Sequence, residues 1–115
     1  MMNGLKERQR ACQEALLAAL RNELVERNVP AGFLNEDDGR PGVEVLDATG
    51  RRRRVYVHLP FRWFYWGDRP DERTSCVQLI AAVERVEQAA RQGWRYEPQG
   101  ELSFNLNKIA DAYRL

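Results

Sequence analysis

The sequence predicts an α+β fold: an N-terminal helix, an antiparallel β-meander of three to four strands, a second helix, then a C-terminal β-hairpin and a short helix. Three observations carry that expectation. Apolar residues recur every three or four positions in two long stretches, apolar and polar residues alternate between them, and glycine- or proline-bearing turns divide the alternating runs. With 115 residues the chain fits one domain spanning 1–115.

The first helix is expected over Leu5–Asn28, where Leu5, Cys12, Leu16, Ala19, Leu20 and Leu24 return to one face. Asn3 suits its N-cap, Glu23 and Arg27 stand at i,i+4, and Pro30 stops the helix. A short strand follows at Gly32–Asn35, then a turn-rich run from Glu36 to Gly42. Val43–Asp47 and Arg52–Leu59 alternate with the two-residue period of strands, and Gly50 supplies the left-handed residue of the turn between them. That turn sets Asp47 opposite Arg51, Glu44 opposite Arg54 and Val43 opposite Val55. One face of the hairpin then carries Val43, Val45, Val55, Val57 and Leu59 toward the core. The other carries Glu44, Leu46, Arg54, Tyr56 and His58, open to solvent or a partner.

Pro60 removes a backbone donor, so Phe61–Trp66 reads as an edge strand or an ordered loop. A second amphipathic helix is expected over Asp71–Gln92, with Cys76, Leu79, Ile80, Val83, Val86 and Ala90 on its apolar stripe and Gly93 as its stop. Trp94-Arg95-Tyr96, the turn Glu97–Gly100 and the alternating Leu102, Phe104 and Leu106 predict a hairpin. Ile109, Ala112 and Tyr113 give the last short helix. The element order is similar to that of small dimeric secretion-chaperone-like domains, a likeness of topology that no motif residue carries.

Composition narrows the functional classes. Apolar residues make up 43% and charged residues 30%, with a net charge of +1, so the chain is expected to fold and has no overall attraction to a polyanion. No apolar run approaches the length of a membrane span and no secretory signal pattern opens the chain, which predicts a cytoplasmic protein with no membrane partner. Cys12 and Cys76 are expected as reduced, buried thiols. No zinc spacing and no nucleotide, hydrolase or protease motif is present, so neither metal nor cofactor is expected. His58, the single histidine, lacks a neighbouring acid or nucleophile in sequence, and no catalytic residue is assigned. The acidic run Glu36-Asp37-Asp38 lacks the ligand spacing of a calcium loop. Leu46 occupies the place a nuclease-like site after Glu44 would give to lysine.

Two clusters remain. Arginines outnumber lysines 16 to 2, and four of them stand together as Arg51-Arg52-Arg53-Arg54; seven lie between Arg51 and Arg73 against three acids. With the interleaved aromatics they suit phosphate contact and base stacking, with Arg51, Arg52, Arg54, Tyr56 and Arg62 as the nucleic-acid-binding residues. Against that, five acids between Glu36 and Asp47 lie on the partner strand, and alternate arginines of a strand face opposite ways. The second cluster is Phe61–Trp66, with five aromatics in six residues, more than one face of a small sheet encloses. The leading expectation is therefore a non-catalytic protein-interaction module, an adaptor, chaperone-like or regulatory protein that pairs with itself as a homodimer or with another protein. Its contact residues are Tyr56, His58, Arg62, Trp63, Phe64, Tyr65 and Trp66. Trp63 and Tyr65 should point to one side and Phe64 and Trp66 to the other. A nucleic-acid-binding regulator is the alternative.

Overall fold

The computed structural model describes residues 3–95. Helix α1 (Asn3–Glu26) leads into a meander of five antiparallel strands, β1 (Ala31–Asn35), β2 (Pro41–Leu46), β3 (Arg52–His58), β4 (Trp63–Tyr65) and β5 (Arg73–Ser75), and helix α2 (Leu79–Gln92) follows. The fold is α+β, with one strand more than the upper expectation. The predicted C-terminal hairpin and short helix lie outside the described residues, apart from Trp94 and Arg95.

Helix α1 ends where its sequence tells it to. Asn28 takes φ of 64°, the Asn28 N–H donates to Val25 O (3.0 Å) and the Val29 N–H donates to Leu24 O (2.9 Å), the paired bonds of a left-handed C-terminal cap. Val29 and Leu24 are both buried in the main core, so the cap also closes an apolar contact. The core face, however, runs along Leu17, Leu20 and Leu24, with Leu16 partly buried. Leu5 and Cys12 are exposed, and both thiols are free. The expected Cys12 burial is therefore corrected: Leu5–Cys12 are all exposed, and the buried face of the helix begins only at Leu16 and Leu17. Arg27 pairs with Glu87 of α2 at 3.1 Å, a tertiary contact in place of the expected pair within the helix.

The β2–β3 hairpin has the expected register. Val43 faces Val55, Glu44 faces Arg54, and the Asp47 N–H donates to Arg51 O (2.8 Å) around Gly50 at φ of 87°. Both helices lie on the valine side. Leu17, Leu20 and Leu24 of α1, Ala82, Val83, Val86 and Ala90 of α2, and Val43, Val45, Val55, Val57, Phe64 and Trp66 of the sheet form one core with Trp94.

The second helix begins eight residues later than its periodicity predicts. Pro70–Glu72 form one 3₁₀ turn and Arg73–Ser75 become β5, pairing Ser75 with Trp63 and Arg73 with Tyr65. The cause is tertiary: the Cys76 N–H donates to Arg62 O (2.8 Å) and Trp66 N–H to Glu72 O (2.9 Å), bonds that a continuous helix from Asp71 could not make. Cys76 consequently sits before the helix, half-buried against the core.

Candidate functional site

Strand β3 sorts the arginine run by parity. Arg53 points inward with Val55 and Val57, where it is buried and donates to Glu72 at 2.9 Å, to Arg95 O at 3.0 Å and to Trp66 O at 3.4 Å. Burial raises the Glu72 carboxyl above its ordinary value, against the pull of Arg53 and Arg95. Gly67 makes room for this pair, since a Cβ there would stand 2.3 Å from the Glu72 carboxylate. Arg52 and Arg54 point to the other face and meet acids of the neighbouring segments, Arg52 with Glu44 at 3.7 Å and Arg54 with Glu36 at 2.8 Å. Arg51 belongs to the turn, 3.6 Å from the Asp47 carboxylate, and its guanidinium donates to Trp94 O. The four arginines thus occupy three different environments, each with an acid within reach.

Asp47 is a polar centre that its sequence context conceals. Its Oδ1 accepts from the Thr49 N–H (2.9 Å), the Thr49 hydroxyl (2.7 Å) and the Arg51 N–H (2.8 Å), and its Oδ2 accepts from the Trp94 N–H (2.8 Å). Burial alone would raise its pKa, but these donors outweigh it and lower it to about 2. Trp94, buried, also donates its indole N–H to Val45 O (3.2 Å). No hydrophobic pattern marks this centre; an Asp-x-Thr turn is its one local signal.

The face of the sheet away from the helices divides into two zones. In the first, Tyr56 and Tyr65 lie across from one another with ring centroids 5.6 Å apart, and both are 1% exposed. Gly42, opposite Tyr56, leaves the space its ring occupies: a Cβ there would come within 2.9 Å of it. The Arg40 guanidinium lies 4.0 Å above the Tyr56 ring and donates to the Tyr65 hydroxyl at 3.5 Å. Glu36 accepts from the Tyr56 hydroxyl and from Arg54, and the Tyr56 bond is the largest cause of its lowered pKa. Burial raises the pKa of Tyr56 and of Tyr65, so both phenols stay protonated at neutral pH.

The second zone is a series of stacked rings. His58 stacks on Phe61 with centroids 5.0 Å apart, Phe61 on Trp63 at 4.9 Å, and the Arg73 guanidinium lies 4.4 Å above the Trp63 ring. All four are half-buried. The turn that folds Phe61 back is held by the Arg62 N–H donating to Leu59 O (3.0 Å), with Arg62 itself exposed at φ of 56°. His58 Nδ1 accepts from the Phe61 N–H at 3.3 Å, which needs the neutral ring, and burial lowers the His58 pKa.

Of the residues singled out from sequence, the structure therefore brings His58 and Trp63 together beside Phe61, with Arg62 on the adjoining turn. Tyr56 and Tyr65 share the face but are enclosed by Arg40. Phe64 and Trp66 are core, and Trp63 and Tyr65 turn to the other face as the alternation requires, but the expected contact set is corrected: Tyr56, Phe64, Tyr65 and Trp66 are all buried, and of the aromatic run's second pair Trp63 alone is accessible. The arginine of the platform, Arg73, was hidden in sequence inside an expected helix. Among the described residues no group of histidine, cysteine, aspartate and glutamate is placed to hold a metal ion, and no helix is long and apolar enough to cross a membrane.

Fold and site together define a meander sheet backed by two helices on one face and carrying an aromatic–arginine platform on the other. Comparison of the chain with family models, curated proteins and solved structures gives no match.

Proposed function

We propose that the protein is a non-catalytic interaction module that recognises a protein partner through the His58–Phe61–Trp63–Arg73 platform. The observation that carries this reading is the stack itself. Three rings in van der Waals succession, capped by a guanidinium and half-buried on the face away from the helices, form a rigid, amphipathic surface of the kind that anchors interfaces. Little conformational entropy is lost when a partner covers side chains that are already ordered. The neighbouring tyrosines are left out of it, since Arg40 and Glu36 hold that part of the face closed.

A catalytic reading has less support: His58 Nδ1 is engaged by a backbone amide, and among the described residues no acid or nucleophile is hydrogen-bonded to the ring. The nucleic-acid alternative also loses ground. Arg51, Arg52, Arg53 and Arg54 each have a carboxylate within 4 Å, which offsets the charge a phosphate would need.

Capture of partners from the host lysate, with and without nuclease, by the wild-type chain and by Phe61→Ser/Trp63→Ser is the direct test. Nuclease-insensitive proteins that the folded double variant no longer retains are the expected result. Identical capture by both chains sinks the proposal, and capture abolished by nuclease transfers it to the nucleic-acid reading.

A further inference from the structure

Strand β1 ends the sheet among the described residues, and its outer edge is open. The Leu46 N–H donates to Pro30 O and the Glu36 N–H to Arg40 O, so the bonded rungs with β2 fall at even-numbered residues. The peptide groups of Ala31, Phe33 and Asn35 therefore turn outward. Phe33 is 48% exposed beside this edge. Between β1 and α1 runs a groove of about 520 Å³, floored by Ala11, Ala15 and Ala18 and flanked by Glu14, Phe33 and Leu34. An open edge strand next to an apolar groove is a pairing surface that a monomer has reason to protect, and no proline or lysine on β1 protects it.

The charges name the occupant. The Arg21 guanidinium lies 4.8 Å from the Phe33 ring centroid, and its Nε is buried with no hydrogen-bond partner. Glu14, two helical turns earlier on the same flank of α1, pairs with Arg10 at 3.1 Å while remaining half exposed. Turned about a two-fold axis that passes near Ala15 and Ala18, a second α1 lies antiparallel to the first and brings each Glu14 toward the other copy's Arg21. A parallel arrangement would set like charges together. The same axis places β1 antiparallel to its copy around Phe33, joining the outward peptide groups, and the alanines let the helices approach closely.

We propose that two copies of this chain join edge to edge, β1 to β1, with their α1 helices antiparallel and reciprocal Glu14–Arg21 ion pairs across the seam. The seam shares no residue with the aromatic platform, so Trp63→Ser leaves the assembly's mass unchanged.

Sedimentation equilibrium of the full chain should give a dimer. Arg21→Glu and Glu14→Arg should each raise the dissociation constant by about tenfold or more, and the double variant should recover most of that loss. Circular dichroism keeps folding separate from assembly. In the unaltered protein, exchange of the Ala31, Phe33 and Asn35 amides should slow as concentration rises. A monomer at every concentration, single variants that dimerise like wild type, a folded double variant no better than the singles, or edge amides whose exchange ignores concentration would each overturn the seam. A strand from a different protein pairing with β1 while the chain stays monomeric would do so as well.

Discussion

The two faces of β3 carry the same residue type to opposite ends. Arg53, turned inward, is an ion pair with Glu72 in which both side chains are almost fully enclosed; Arg52, one residue earlier and turned outward, meets Glu44 with 72% of its side chain in solvent. Attraction between two charges grows as water is removed, but so does the cost of either charge left alone. The inward pair is therefore the one whose breakage the fold should feel, and the outward pair should be nearly silent.

Glu72→Ala probes the larger effect. Leaving Arg53 buried without its carboxylate should cost about 3–5 kcal/mol, read as a lower urea midpoint at unchanged slope. A loss under about 1 kcal/mol would mean that water or a backbone carbonyl replaces the carboxylate without strain.

Asp47→Ala comes next, at about 3 kcal/mol, because three backbone N–H donors and the Thr49 hydroxyl lose their common acceptor. Its pH signature has a definite sign. The folded-state pKa lies below the ordinary value, so its contribution is complete above about pH 4 and is lost as pH falls toward 2. Acid titration of the unfolding midpoint should show that loss in wild type and a flatter curve in Asp47→Ala.

The outward face has a milder switch. His58 also has a lowered pKa, but for a base this means that the unfolded chain takes up the proton first. Stability is then complete above about pH 6.5 and declines as pH drops through the folded-state value. His58→Gln should flatten the decline below about pH 6.5, and a wild-type slope retained in that variant would place the titrating group elsewhere. Smallest of all, Arg52→Ala should change the unfolding free energy by less than about 0.5 kcal/mol.

What could be read from the sequence follows the range of the interactions. The β2–β3 register was legible because a glycine turn and a valine alternation act within a few residues. The inward course of Arg53 follows from the same alternation, yet its partner, Glu72, lies 19 residues further on and inside an expected helix. Apolar spacing at Cys76 and Leu79 fits a helix, and only the pairing of Arg73–Ser75 with β4 overrules it. Half of the aromatic platform was visible, as His58 and Trp63. Arg73 was not, because it reaches Trp63 through that same unexpected strand. Cys12 shows the converse limit: periodicity marks which residues could share a face, but not which of them the fold goes on to bury.

Trp94 closes onto Asp47 and Val45 across nearly half the length of the chain. Seen as a matter of timing, the tight turn after β2 can form early from its own residues, but its acid stays half-satisfied until α2 has been made and has delivered residue 94. Closing that span costs more chain entropy than closing the turn, so the last backbone amide to reach Asp47 marks the completion of the core. A ribosome releasing this chain would hold an unfinished core through the whole synthesis of the second helix.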